Sequence, residues 1–152
     1  MCLAGLVPAC SSSHDDQPAS DGGTTSDADT IGCLNDKRAD TYTANLAKAA
    51  SSQKLKVTLV SGDPAPPIRG VNHWTVKVVD ESGAPVTAPL TVKPFMPDHG
   101  HGSSTQPVVT SKGDGTYDVA DLNFFMPGLW QITFSTNTSP ADSVVYSFCI
   151  SG

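Results

Sequence analysis

Along most of the chain, apolar and polar residues alternate with a period of two. The alternation is clearest at residues 55–59 and 74–78, where every second side chain would enter a core and the others would face water. Further short apolar runs follow at spacings of about ten residues, at 90–96, 107–110, 117–122, 130–134 and 144–149. About seven short strands at this spacing predict an all-β fold, a single antiparallel β-sandwich of immunoglobulin-like or cupredoxin-like type.

Breaks between these runs predict the turns and loops. The run Gly113-Asp-Gly-Thr-Tyr117 is typical of a β-hairpin turn, and the proline-rich residues 63–70 form an irregular loop. Trp74 and Trp130 both fall within predicted strands. We therefore expect both tryptophans in the core of the sandwich.

One short N-terminal helix is predicted over residues 37–50. Tyr42, Leu46 and Ala49 recur there at a spacing that puts them on one helical face, and Asp40 is placed to cap the helix N-terminus.

The composition limits the fold and the partners. The chain has 152 residues, enough for one domain, and its charged fraction of 16% is low while Gly and Pro number 13 and 12. Helix bundles and coiled coils fit that composition poorly. The formal net charge of −6 argues against a nucleic-acid partner. No apolar run reaches the roughly 20 residues of a membrane-spanning helix.

The acidic charge is concentrated in a segment that precedes the domain. Residues 11–32 contain five Asp and no Lys or Arg, so residues 33–152 keep 9 basic and 10 acidic residues and are nearly neutral. The segment consists mainly of Ser, Asp, Thr, Gly and Ala and is predicted to be a disordered tether. The folded domain is therefore placed at residues 33–152.

Residues 1–10 resemble the end of a bacterial lipoprotein signal. A short apolar stretch leads to Ala9, and Cys10 follows where the lipidated cysteine of such a signal stands. The match has three departures: the apolar stretch is short, no Lys or Arg precedes it, and Pro8 interrupts it. A start codon assigned too far downstream would explain all three. The alternative is an unstructured N-terminus whose two cysteines are incidental. The first interpretation places the protein on the periplasmic side of the bacterial envelope, attached by its lipid alone, or exported.

Cys33 and Cys149 lie at the two ends of the predicted domain. In an exported protein such a pair is most simply a disulfide. Neither residue has another Cys or His at the short spacing that metal ligands usually show.

The chemistry-bearing residues cluster in one stretch. Met96, His99 and His101 lie close together beside Asp98, and Met126 recurs in a similar Phe-Met-Pro setting. Thioether sulfur combined with imidazole favours copper, especially Cu(I), over zinc. We therefore predict a copper site made by the two histidines and two methionines, in which Asp98 orients a histidine through its second ring nitrogen.

A simpler interpretation of the same stretch needs no metal. Methionine next to phenylalanine is usually core filler, and His-Gly-His is compatible with a polar loop. His73 is out of phase with Trp74 and is expected at the surface, and His14 lies in the tether. The usual hydrolase, phosphate-binding and zinc-protease motifs are absent from the sequence, so we expect no enzymatic activity.

Three sequence pieces in order resemble the YtkA-like family of bacterial envelope proteins. They are Met96-Pro-Asp-His-Gly-His-Gly, Gly113-Asp-Gly-Thr-Tyr117 and Phe125-Met126-Pro-Gly-Leu-Trp130. The resemblance implies a small exported β-sandwich, often anchored to the membrane, without established enzymatic activity. Members tend to accompany copper-handling or respiratory-oxidase functions, and the motif residues carried over are Met96, His99, His101 and Met126. The Cys33/Cys149 pair and the acidic tether are not part of the motif.

Two functions from different classes follow from the sequence. The first is a lipid-tethered envelope β-sandwich that carries or buffers copper. The second is the same sandwich without a metal, acting as a structural or interaction module that docks to another envelope protein.

Overall fold

The structure is a computed structural model that describes residues 33–137 and 142–152. These residues form nine β-strands: β1 (Leu46–Ala49), β2 (Leu55–Asp63), β3 (Gly70–Asp80), β4 (Leu90–Met96), β5 (His101–Gly102), β6 (Val108–Ser111), β7 (Thr116–Phe124), β8 (Gly128–Thr136) and β9 (Asp142–Ile150). The strands build one sheet in the order β1-β2-β3-β7-β6 and a second in the order β5-β4-β8-β9. Every pairing is antiparallel. The predicted all-β sandwich is confirmed.

The strands predicted from the period-two pattern correspond to β2, β3, β4, β6, β7, β8 and β9. Their side chains alternate between the core and the surface, as β4 shows with a strict buried-exposed repeat from Leu90 to Met96. The predicted hairpin is confirmed, because β6 pairs antiparallel with β7 through the turn at residues 112–115. The loop predicted at 63–70 lies between β2 and β3.

The helix predicted over residues 37–50 is wrong. Residues 46–49 are strand β1, in which Leu46 pairs with Leu59 of β2, and Asn45 before it has a left-handed φ of 61° that no helix interior accepts. The Ala-rich sequence favours a helix locally. Pairing with β2 supplies the same backbone with inter-strand hydrogen bonds, and this tertiary contact overrides the local propensity.

Asp40, the predicted helix cap, instead ties the N-terminal segment to both sheets. Its carboxylate lies 2.8 Å from the ammonium of Lys48 on β1, and that ammonium lies 5.6 Å from the ring centroid of Tyr146. The Asp40 N–H donates to the carbonyl of Ser147 at 2.6 Å, and the Ser147 N–H donates to the Asp40 carboxylate at 2.8 Å. Asp40 therefore occupies part of the outer edge of β9.

The core lies between the two sheets and is rich in aromatic residues. Trp74 and Trp130 are fully buried, as predicted. Trp74 packs edge-on against Phe148 at a centroid distance of 5.6 Å and stacks on Phe134 at 6.3 Å, so residues of both sheets meet around it. Tyr146 donates its hydroxyl proton to the carbonyls of Leu46 and Val57, and its burial raises its pKa.

The predicted disulfide between Cys33 and Cys149 is formed in the structure and spans 116 residues of sequence. It joins the first described residue to β9, next to the residues that Asp40 holds. Among the described residues no helix is long and apolar enough to cross a membrane.

One end of the sandwich gathers several chain segments. In the first sheet, β3 begins and β7 ends there, because Gly70 pairs with Phe124. In the second sheet, β8 begins and β9 ends there, because Gly128 pairs with Ile150, and β4 also ends there. The loop that contains the predicted metal ligands leaves β4 at this end.

Candidate functional site

The first part of the site is a short hairpin between β4 and β5. The chain turns back directly after Met96, whose carbonyl accepts hydrogen bonds from the N–H groups of His99 at 3.3 Å and Gly100 at 2.9 Å. Gly100 has a φ of 70°, which glycine adopts without strain. The chain then returns so that His101 pairs with Met96. Paired residues of an antiparallel ladder point to the same face, so the hairpin brings the thioether and the imidazole of this pair together.

The two histidines of this hairpin lie side by side. Their ring centroids are 5.7 Å apart with an interplanar angle of 62°. An ion bound to a ring nitrogen at about 2.0 Å lies about 3 Å from the ring centroid, so two rings at this separation are able to share one ion. His99 is exposed and His101 is half-buried. The Nδ1 atom of His101 lies 3.2 Å from the carbonyl oxygen of Gly102, which leaves its Nε2 atom for a ligand.

Met96 and His99 approach the same glycine at the start of β8. Met96 is fully buried, and its Cε methyl would lie 2.7 Å from a Cβ atom placed on Gly128. The Nε2 atom of His99 would lie 4.0 Å from the same position. Gly128 has a φ of 130°, so the space and the backbone conformation both require glycine. The thioether end of Met96 and the imidazole nitrogen of His99 thus converge over Gly128, which belongs to the Phe125-Met126-Pro-Gly-Leu-Trp130 piece.

The segment before Gly128 covers the hairpin from the other side. Phe125 is 40% exposed and stacks on the ring of His101 at a centroid distance of 5.6 Å, and it packs edge-on against Trp130 at 5.5 Å. Met126 is half-buried against the core, and its carbonyl accepts a hydrogen bond from Nε1 of Trp130 at 3.0 Å. The structure therefore brings Met96, His99 and His101 together and places Met126 in the adjoining loop.

Asp98 is held by an arginine that the sequence does not single out. Each of its carboxylate oxygens accepts a hydrogen bond from Arg38 at 2.9 Å, and Arg38 also binds Asp36. The hydrogen bond from Arg38 lowers the pKa of Asp36. The predicted role of Asp98 in orienting a histidine stays a prediction, and the observed role is to join the hairpin to the N-terminal segment. Arg38 is 60 residues away in sequence, so no local pattern reveals the contact.

The other potential metal ligands of the described residues limit which metal the hairpin could bind. Over residues 33–137 and 142–152, no group of three or more His, Cys, Asp or Glu is placed to hold a metal. Cys33 and Cys149 are joined to each other, and the exposed His73 belongs to β3, where it pairs with Asp63 of β2. A metal at the hairpin would therefore need the thioethers, which suit Cu(I) and which zinc rarely takes. Cys10 and His14 lie outside the described residues.

Comparison with known proteins places the chain in a family. The family model described as YtkA-like matches residues 49–135. The chain belongs to the YtkA-like family. This family is associated with exported proteins of the bacterial envelope. The match runs from the end of β1 to β8 and contains both loops of the site, whereas the Cys33–Cys149 disulfide lies outside it. No curated protein and no solved structure matches the chain.

Proposed function

We propose that this YtkA-like protein binds copper as Cu(I) at Met96, His99, His101 and Met126, and that it acts as a carrier or buffer in the bacterial envelope. The observation that carries the proposal is the convergence of Met96 and His99 over Gly128, with His101 paired opposite Met96. One thioether and two imidazoles therefore come together at one end of the sandwich.

The arrangement suits Cu(I) better than Cu(II). Soft thioether ligands select Cu(I), while Cu(II) prefers tetragonal nitrogen and oxygen sites. Met96 would present its sulfur from the apolar core side, and the exposed His99 would present its nitrogen from the solvent side. An ion at this position is held from within the domain and remains accessible from outside. Accessibility of this kind is what a carrier needs, because a partner's ligand must reach the ion during transfer.

The test of this proposal distinguishes the contribution of the Met96 sulfur atom to copper binding from the contribution of the side chain's volume to core packing. We would titrate the full chain with Cu(I) against a competing chelator, with Cys2 and Cys10 replaced by Ser so that free thiols bind no copper. Met96→Leu keeps a side chain of similar size, which costs less than about 1.5 kcal/mol of stability. We expect one Cu(I) per chain, and an affinity reduced about tenfold or more by Met96→Leu, corresponding to about 1.4 kcal/mol for one lost ligand. An unchanged affinity would instead assign Met96 to the core alone.

The second candidate is a metal-free interaction module of the envelope. It is favoured by the full burial of Met96 in the core and by the exposure of apolar side chains at the same end, among them Ile68 at 52% and Phe125 at 40%. This alternative predicts that the protein co-purifies from membranes with a stable partner and that a chelator does not release it. The copper proposal predicts instead that the isolated protein binds Cu(I) without any partner.

We also propose that Cys10 is the site of lipid attachment. Its place after a short apolar stretch and a small residue supports this, as does the association of the family with exported envelope proteins. Expressed in a bacterium with its native upstream sequence, the protein is expected in the membrane fraction with an acylated N-terminal Cys10 by mass spectrometry. Cys10→Ser should move it out of that fraction, while Cys2→Ser, the matched control, should not. An unacylated protein that still contains residues 1–9 would contradict the assignment.

A further inference from the structure

A carboxylate lies next to the two histidines of the hairpin. Asp98 directly precedes His99, so their Cα atoms are about 3.8 Å apart, and His101 follows two residues later. The Asp98 side chain is 50% exposed and has room to turn toward the imidazoles. Two imidazoles and one carboxylate are a donor set that zinc and other divalent metals bind. The hairpin therefore contains a potential ligand set for a divalent metal besides the one proposed for Cu(I).

Arg38 engages both oxygens of this carboxylate. Its Nη1 atom donates to one oxygen of Asp98 and its Nη2 atom to the other, each at 2.9 Å. A planar guanidinium that holds both oxygens in this way fixes the direction of the carboxylate. In the part of the chain that the structure describes, Asp98, His99 and His101 accordingly form no group that could hold a metal.

Arg38 is itself held in place by the N-terminal segment. The carboxylate of Asp36 accepts hydrogen bonds from the backbone N–H of Arg38 at 2.8 Å, from its Nε at 3.0 Å and from its Nη2 at 2.6 Å. The N–H of Asp36 donates to the carbonyl of Cys33, which the disulfide joins to Cys149 on β9. The guanidinium is therefore preorganised beside the hairpin and loses little conformational freedom when it binds Asp98.

This ion pair acts differently on metals of different charge. The attraction of a carboxylate for an ion and the repulsion by a guanidinium both scale with the ion's charge, so each is twice as large for Zn²⁺ as for Cu⁺ at the same distance. Zn²⁺ rarely takes methionine and depends on nitrogen and oxygen donors here, whereas Cu(I) accepts thioether sulfur. Engagement of Asp98 by Arg38 therefore removes a ligand that a divalent ion needs and that Cu(I) does not.

We propose that Arg38 is a specificity-determining residue of the site, which keeps Asp98 from completing a two-histidine, one-carboxylate site for divalent metals. The inference rests on the proposed copper function and deepens it, because it makes the same hairpin selective for Cu(I) over Zn²⁺. Arg38 lies before residues 49–135, which match the family model. The N-terminal segment of this chain thus supplies the selectivity.

The experiment is a Zn²⁺ titration of the full chain against a competing chelator. So that residues 1–32 contain no Cys or His, all samples carry Cys2→Ser, Cys10→Ser and His14→Ala. We expect Arg38→Gln to bind Zn²⁺ about tenfold or more tightly than the parent, with zinc-dependent shifts of the ring ¹⁵N signals of His99 and His101. The Arg38→Gln/Asp98→Asn variant should return to the parent's affinity.

Two further variants separate the paired hydrogen bonds of Arg38 from its charge. Arg38→Lys keeps the cation and loses the planar fork, so its Zn²⁺ affinity should lie between those of the parent and Arg38→Gln. Lys37→Gln is the matched control, because it removes the same charge from the neighbouring exposed residue, and it should leave the affinity unchanged. The Cu(I) affinity of Arg38→Gln should differ from the parent's by less than about threefold, since no ligand of Cu(I) is altered.

Three results would overturn this proposal. The first is an Arg38→Gln variant whose Zn²⁺ affinity equals the parent's. The second is a gain that persists after Asp98→Asn, because the new ligand is then another group. The third is a parent that already loses Zn²⁺ affinity through Asp98→Asn alone, which would place Asp98 in a metal site despite Arg38. A parent that binds no Cu(I) contradicts the copper function instead, and the Zn²⁺ titrations, made without copper, keep the two outcomes distinguishable.

Discussion

Replacement of His99 and His101 together by Ala is expected to abolish Cu(I) binding, with a loss of affinity of about 100-fold or more. Both imidazoles are ligands in the proposed site, and their ring centroids are 5.7 Å apart in a hairpin that offers no other imidazole. The fold should survive, because His99 is exposed and His101 is only half-buried. We expect the free energy of unfolding to fall by about 1 kcal/mol or less, mainly from the lost stacking of His101 on Phe125.

The measurement is a Cu(I) competition titration combined with urea unfolding of the same samples. His73→Ala is the matched control, because it removes an exposed imidazole of a strand outside the hairpin. It should change neither quantity. If the double variant binds Cu(I) as the parent does, the histidines are not ligands. If the double variant unfolds, they are structural, and the hairpin is a polar loop that the domain needs for stability.

Replacement of Cys33 and Cys149 together by Ser is expected to lower the free energy of unfolding by up to about 4–5 kcal/mol. The disulfide closes a loop with a sequence separation of 116 residues, and the cross-link removes the corresponding chain entropy from the unfolded state. The native segment stays attached in part, because Asp40 still bonds Ser147 on β9 and Lys48 on β1. The expected result is therefore a less stable protein with the same sandwich.

Urea unfolding of the oxidised parent and of the double serine variant measures this loss. The Cys2→Ser/Cys10→Ser protein is the matched control and should unfold at the parent's midpoint, since neither residue takes part in the disulfide. Equal midpoints for the parent and the Cys33→Ser/Cys149→Ser variant would show that the disulfide contributes no stability. A total loss of folding would show that the domain depends on it.

Most of the fold could be predicted from the sequence because a sandwich imposes a period of two on each strand. Strand β4, with its alternating burial from Leu90 to Met96, is the clearest case. The prediction failed where the pattern was ambiguous. Tyr42, Leu46 and Ala49 satisfy a helical spacing, yet residues 46–49 pair with β2, and a strand that short leaves too few positions for its alternation to compete with the helical pattern. β5 has two residues and carries no periodic signal.

The sequence was enough to predict which residues form the candidate site, but it was not enough to predict the contacts between them. The histidine pair and the two methionines are visible in the sequence as motif residues, and His99 and His101 lie only two residues apart. The contact of Gly128 with Met96 depends on how β8 lies beside β4, which no local pattern encodes. Phe125 was part of a recognised motif, but its stacking on His101 needed the structure.

X-ray absorption spectroscopy at the copper edge tests the central claim most directly. The sample is the full chain carrying Cys2→Ser and Cys10→Ser, loaded with one equivalent of Cu(I) without oxygen. With the remaining cysteines joined in the disulfide, sulfur bound to copper must come from methionine. The proposal predicts a first shell with both sulfur and imidazole nitrogen, and loss of the sulfur contribution in a Met96→Leu/Met126→Leu variant. A first shell of nitrogen and oxygen alone, or a protein that retains no Cu(I), would contradict it.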